Sequence, residues 1–215
     1  MILTLEQKDL LIGTLLGDAW LHTSDKGRTW AYSACQPLAQ KEYLFHKYNL
    51  LQNLDLNSPS RIEQIHPTLS TPLIWYRIST NIHPSLCFYG HMFFQVAPET
   101  GSLYRGVPKN IAKFLTPRAL AYWYMDVGYL KWSGNSNSVV LRTDSFHLFA
   151  VNRLRVALRQ LYNLETQLSH KNLNSTPYGY RISLRGKNAL LFKDLIQDQV
   201  LESMQYKLKI KESKD

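Results

Sequence analysis

The sequence is poor in the groups that carry much of enzyme chemistry. Two cysteines in 215 residues, Cys35 and Cys87, are too few for a disulfide framework or a zinc cage. That predicts a reducing compartment and two small buried residues rather than reactive thiols. The seven histidines show no metal-ligand spacing. No nucleophile elbow, phosphate loop or dinucleotide fingerprint occurs, so acyl-transfer, nucleotide-binding and hydride-transfer chemistry find no support. No apolar run approaches the length needed to span a bilayer. The N-terminus lacks the basic and apolar regions of a signal peptide, and Glu6 and Asp9 argue against a transit peptide, so the expectation is a protein used where it is made, or one whose targeting segment lies outside this sequence, and no membrane partner. Acid is also scarce: 16 Asp and Glu against 25 Lys and Arg give a net charge of +9. That balance points to a polyanionic partner, although charge alone fits an ordinary basic protein equally well.

What the chain does have is a repeat. Leu120-Ala121-Tyr122-Trp123-Tyr124-Met125-Asp126-Val127-Gly128 is answered by Leu11-Ile12-Gly13-Thr14-Leu15-Leu16-Gly17-Asp18-Ala19. Each is an apolar helical run ending in an acid and a small residue, followed by a polar turn, a β-rich run, one polar residue and another amphipathic helix. Asp18 and Gln36 lie 18 residues apart, Val127 and Asp144 lie 17 apart. A half-molecule repeated at this spacing predicts two similar units about a pseudo-two-fold axis, with the repeated helices as the seam. Gly13 and Gly17, one turn apart, each cost on the order of 1 kcal/mol relative to Ala, which is rational where another helix backbone must approach.

Local patterns predict the elements. Thr4-Leu5-Glu6-Gln7 reads as a capping box opening a helix through about Trp20. Strands at 20–24 and 28–36 flank Ser24-Asp25-Lys26-Gly27, a helix covers 39–53, strands cover about 60–67 and 73–80, and a helix near 84–97 closes a first unit, residues 1–97. Residues 98–115, with Pro98, Gly101, Gly106 and Pro108, read as a linker. In the second unit, 116–215, Thr116 caps a helix with Pro117 at its first position, running to about Val127. Strands at 129–133 and 138–144 flank a Ser/Gly/Asn loop at 133–137, a helix covers 146–163, strands cover 166–171 and 179–185, and a last helix covers 187–206. The pattern is α+β, two αββαββα units. A basic tail carries Lys209, Lys211 and Lys214.

The paired segments resemble the motifs of LAGLIDADG homing endonucleases in their single-chain, two-motif form. The flanks Leu115-Thr116-Pro117 and Lys131-Trp132 extend the likeness, as do Arg105-Gly106-Val107-Pro108, Arg142-Thr143-Asp144-Ser145-Phe146 and Met204-Gln205-Tyr206-Lys207-Leu208. The resemblance covers nearly the whole chain. It implies a monomer with saddle-shaped antiparallel sheets that bind a long double-stranded DNA site. It also implies cleavage with Mg²⁺ or another divalent cation in the service of intron mobility, and a chloroplast or mitochondrial setting. The family's acid precedes the final Gly or Ala, which is Asp18 in the first motif but Val127 in the second. Two other functions stay open: a DNA-binding protein or nickase impaired by Val127, and a maturase that binds intron RNA.

Divalent metal hydrolysis of a phosphodiester needs carboxylate oxygens, and Asp18 reads as a metal ligand. Asp126 aligns with Gly17. It either hydrogen-bonds the first helix across the seam or serves as a substitute metal ligand. Val127 offers a metal only its backbone carbonyl. Gln36 and Asp144 sit at matching places after the second strand of each unit, where the family lines its active site; Asp144 reads equally as an N-cap for the helix beginning near Phe146. Arg105 and Lys207 align with the family's paired basic residues, whose role is to stabilise charge on the scissile phosphate. Strand alternation nominates a DNA face: Arg28, Trp30 and Tyr32 by the parity of Gln36, Arg142 by that of Asp144, and Arg61, Arg77, Arg181 and Ser183 in the later strands.

Overall fold

The computed structural model describes residues 2–65, 71–96, 101–134, 136–170 and 178–209. The expected strand ends at 66–67 and 171, Pro98, Asn135 in the expected loop, and the tail residues Lys211 and Lys214 lie outside the described residues.

The first helix, α1 (Leu5–Leu16), begins where its capping box places it. Thr4 Oγ1 accepts from the Gln7 amide at 3.2 Å, and the Gln7 side chain accepts from the Thr4 amide at 2.9 Å. It ends at Leu16 rather than near Trp20, because the chain leaves helical geometry at Gly17. Trp20–His22 becomes β1 and pairs with β2 (Ala31–Pro37). The turn between them is a loop longer than a tight hairpin. The Asp25 carboxylate accepts from the amides of Arg28 and Thr29 and from the hydroxyls of Thr23 and Thr29, which satisfies the loop backbone that has no strand partner. Then come α2 (Lys41–Leu51), β3 (Ser60–Gln64), β4 (Leu73–Ser79) and α3 (Cys87–Phe93).

At this point the structure departs from the expected linker. The helix near 84–97 stops at Phe93, and β5 (Phe94–Val96) pairs with β6 (Leu103–Arg105) as a two-stranded ribbon. The reason is aromatic packing: Phe94 lies 5.0 Å from the Trp20 ring and 5.2 Å from that of Trp30. Gly90 makes room for the Trp30 ring, since a Cβ there would fall 2.2 Å from that indole.

The second unit repeats the order with α4 (Pro117–Val127), β7 (Gly128–Leu130), β8 (Val139–Arg142), α5 (Leu148–Tyr162), β9 (Gln167–His170), β10 (Tyr180–Leu184) and α6 (Lys187–Ile196). Thr116 caps α4 through the Ala119 amide, with Pro117 at the first position. In place of one helix to 206, two 3₁₀ segments, Gln197–Gln199 and Glu202–Lys207, follow α6. The antiparallel sheets have the same order, β1-β2-β4-β3 and β7-β8-β10-β9. One apolar cluster runs through both units.

That cluster is continuous because α1 and α4 lie against each other. A Cβ on Gly13 would sit 2.3 Å from the Ala119 carbonyl oxygen, and one on Gly17 would sit 2.4 Å from the Asp126 carboxylate. Both positions are fully enclosed, so no side chain can yield space there without moving a helix. Gly13→Ala is therefore expected to lower stability by about 1–3 kcal/mol through overpacking, despite the better helix propensity of alanine. Urea denaturation of the two proteins checks it: equal or higher stability of the variant would mean that the helices do not pack this closely.

Candidate active site

The seam helices end side by side, and their last residues differ in environment. Asp18 emerges just past the end of α1 with its side chain in solvent contact, where it lines two open clefts of about 470 and 300 Å³. Val127, the last residue of α4, lines both clefts too and brings only methyl groups. Asp126 borders the larger cleft as well, but its carboxylate turns into the protein. Its carboxylate has no exposed surface: Oδ1 accepts from Lys47 Nζ at 2.6 Å and from Gln36 Nε2 at 3.2 Å, and Oδ2 accepts from the Asp18 amide at 3.0 Å. Both oxygens are engaged inside the protein, so the geometry corrects the expectation of Asp126 as a metal ligand. What it shows is the other alternative, a hydrogen bond to the first motif across the seam.

Two cations close the helix ends. Arg105 Nη1 donates to the carbonyls of Gly17 at 3.0 Å and Ala19 at 2.8 Å, and Nη2 donates to Ser145 Oγ at 3.3 Å. Lys207 Nζ donates to the Met125 carbonyl and to that of Asp126. Each unit thus places one basic side chain on the negative end of its seam helix. Burial pushes the Lys207 ammonium down to about 8, and it lowers Arg105 from its usual range, while the charges of Asp18 and Asp126 oppose both shifts. The Arg105 Nε is buried and has no protein acceptor among the described residues.

Asp18 feels the opposite balance. Desolvation by the surrounding protein, and then the negative charge of Asp126, raise its carboxyl to about 6, against weaker opposition from Lys47, Arg142 and Lys207. An exposed carboxylate with a raised pKa, ringed by cations, is a group that gains from a bound positive charge.

The strand register revises other assignments. Trp20 faces Ser33 and Tyr129 faces Val140, which makes Cys35 the counterpart of Arg142 and Pro37 that of Asp144. Gln36 therefore corresponds to Thr143, and both are buried. The one-residue offset arises because Trp20 and its partner Ser33 are 13 positions apart while Tyr129 and Val140 are 11 apart, a difference of two where the count from motif to Gln36 and Asp144 allows one. Gln36 turns inward to Asp126, so it does not face the clefts. Asp144 turns outward and pairs with Arg181 Nε at 2.8 Å. It does not cap α5, whose N-cap is His147.

The same parity corrects part of the nominated DNA face. Trp30 and Tyr32 are core residues, 1% and 0% exposed, because the parity of Gln36 is the helix-facing one. Tyr76 stands opposite Gln36 and Arg61 opposite Tyr76, so Arg61 belongs to the helix side of the sheet, where it pairs with Glu63. Arg28 lies in the exposed β1–β2 loop rather than in β2. Arg77 opposes Cys35 on the open face and is exposed. In the second sheet Arg142 opposes Arg181, and Ser183 opposes Val140 on that same open face, although Ser183 is itself largely buried. Sequence reasoning missed Lys47. Its signal was there: Tyr43, Leu44, Lys47 and Leu51 make one buried stripe of α2, and a lysine in an apolar stripe requires a buried partner.

The raised Asp18 pKa has a consequence for the protein free of metal and DNA. Its folded value, about 6, lies above that of an unfolded carboxyl, so the folded state holds the proton more tightly. Ionised Asp18 thus destabilises the fold at pH 7, and the effect fades as pH falls through 6 towards 4. Asp18→Asn should melt at a higher temperature than the parent at pH 7 to 8 in the presence of a chelator, with the gap narrowing on acidification. Thermal melts across that range test it; a lower melting temperature for the variant at pH 7 contradicts the assignment.

Residues 8–192 match the LAGLIDADG DNA endonuclease family. The chain is 38% identical over 211 residues to the DNA endonuclease I-ChuI of Chlamydomonas applanata, covering 97% of this chain and 96% of that protein. It is 28% identical over 209 residues to the cytochrome b mRNA maturase bI2 of Debaryomyces hansenii, covering 94% and 73%. Among solved structures, the homing endonuclease I-WcaI bound to its DNA recognition sequence shares this fold with a TM-score of 0.84 at 23% identity, covering 99% of this chain and 89% of that one. With its repeated helices packed at a glycine seam and its length matched almost end to end, the chain belongs to the LAGLIDADG DNA endonuclease family.

Proposed function

We propose that the protein is a homing endonuclease that hydrolyses phosphodiester bonds in a long double-stranded DNA target with Mg²⁺ or another divalent cation. The observation that carries this reading is the exposed acid Asp18, set at the seam between two open sheet faces and ringed by Arg105, Arg142, Arg181 and Lys207. The donor chemistry there fits a hard cation: one carboxylate of raised pKa opens to clefts that leave room for water and phosphate oxygens. Asp18 would hold the ion. When bound, it would polarise the phosphate and lower the pKa of water. Arg77, Arg142 and Arg181 on the open faces suit phosphate contact and guanine readout, and the loop residue Arg28 suits contact beyond the sheet. Lys207 and Arg105 stand where charge would build on the scissile phosphate, each oriented by helix-end carbonyls. The organellar intron setting belongs to the same proposal.

Val127 favours a second reading for the cleavage outcome. It lines both clefts at the position equivalent to Asp18, so the two motif ends carry one exposed acid and not two. A one-acid seam would cut one strand faster than the other.

Plasmid carrying the target, incubated with Mg²⁺, should give nicked circles ahead of linear product, and Asp18→Asn should abolish both while leaving DNA affinity within about threefold, because the strands and not the seam carry binding. Val127→Asp should raise the yield of linear product. Linear product at the parental rate from Asp18→Asn refutes the site. DNA affinity should fall steeply with salt, with a slope of about −0.9 per phosphate neutralised. Tighter binding to structured intron RNA than to DNA at equal salt would transfer the proposal to a maturase.

A further inference from the structure

The Asp18 amide is held by an unusual arrangement. Past the end of α1 the amides of Gly17 and Ala19 return to carbonyls of that helix, at Gly13 and Thr14. The amide between them does not: Asp18 N–H donates across the seam to Asp126 Oδ2, at 3.0 Å, its acceptor among the described residues. The carboxylate that receives it is fixed from behind by Lys47, whose Nζ is 2.6 Å from Oδ1 with neither side chain exposed. Lys47 is itself confined, with its ammonium 4.1 Å from the centre of the Tyr43 ring, while Tyr43 Oη donates to the Tyr122 carbonyl of α4 at 3.3 Å. A chain of contacts thus runs from α2 of the first unit to α4 of the second and back to the peptide that carries Asp18.

We propose that Lys47 and Asp126 are a positioning pair for the first-motif acid: the ammonium orients Asp126, and Asp126 fixes the Asp18 peptide. The idea rests on the nuclease reading for its catalytic consequence but on geometry alone for the positioning. Three features carry it. First, a buried charge pair is a poor way to gain stability, since apolar residues of like volume often do as well, so its presence calls for another role. Second, the device is one-sided. Gly17, the counterpart of Asp126, has no side chain to offer the Val127 amide, and the buried face of α5 is wholly apolar at Ala150, Val151, Leu154, Ala157 and Leu158. Third, the side it serves is the one whose motif keeps an exposed acid. Groups that orient a reacting side chain from behind change rates through geometry rather than through contact with substrate.

The test compares Lys47→Met with two double variants that remove the buried charge altogether: Lys47→Met with Asp126→Asn, which keeps an acceptor for the Asp18 amide, and Lys47→Met with Asp126→Leu, which does not. The readouts are hydrogen exchange of the Asp18 amide in protein free of DNA and metal, single-turnover cleavage, and DNA affinity. Lys47→Met should speed Asp18 amide exchange by about tenfold or more, as expected for loss of a charge-assisted hydrogen bond. It should slow cleavage by about 10- to 100-fold, the range typical of orienting partners, with affinity changed by less than about threefold. The Asn double variant should recover much of both, and the Leu double variant should recover neither. If Lys47→Met does not fold, the contrast between the two double variants decides alone. A folded Leu double variant with parental Asp18 exchange and parental cleavage overturns the proposal. Should the parent protein cut no DNA, the nuclease reading fails while the exchange measurements still judge the positioning pair.

Discussion

The close approach of α1 and α4 is the constraint on which the rest depends. Two glycines one turn apart let the helix backbones meet, with no space for even a methyl group at Gly13 against the Ala119 carbonyl. That contact makes one core out of two units and brings the ends of both motifs to one place. It also sets Gly17 against Asp126, so the residue that permits the approach in one helix faces the acid of the other. Every later feature of the site, from the exposed Asp18 to the cations capping the helix ends, inherits its position from this seam.

The site is symmetric in scaffold and asymmetric in charge. Arg105 and Lys207 play matched parts at the C-terminal carbonyls of α1 and α4. The sheets share strand order, and Arg77 and Arg181 oppose equivalent partners. The acids do not match: one is exposed and of raised pKa, and the other is buried against a lysine. Bare carboxylates at helix C-termini are disfavoured by the local dipole and by each other. Burying Asp126 with a counter-ion, while Asp144 pairs with Arg181, leaves Asp18 as the exposed acid of the two motif ends among cations, and its need for a bound positive charge follows from that imbalance.

Element types were largely legible from the chain, because helices and strands here have clear periodicity and caps. Thr4 and Thr116 cap where expected, and Pro117 begins α4. The ribbon of β5 and β6 was not legible, since Phe94 becomes a strand residue only by packing on Trp20 of β1 and on Trp30 just before β2. The parity of β2 was lost for a related reason. Counting from the motif gave Gln36 and Asp144 the same place, but the first hairpin pairs in a register one residue beyond that count, and a shift of one residue turns a strand's faces over. Trp30 and Tyr32 therefore went to the core and Arg61 to the helix side.

The sequence by itself determined the repeat, the glycines of the seam, the acid at Asp18 and the loss of its partner at Val127, because each is a matter of which residue stands at which place in a short motif. Only the tertiary structure decided what Asp126 does. Its neighbours in the chain leave it either a metal ligand or a seam residue, whereas Lys47 and Gln36, far away in sequence, supply the hydrogen bonds that turn it inward. A buried charge is defined by the partner that stabilises it, and partners brought together by folding have no signature in local sequence.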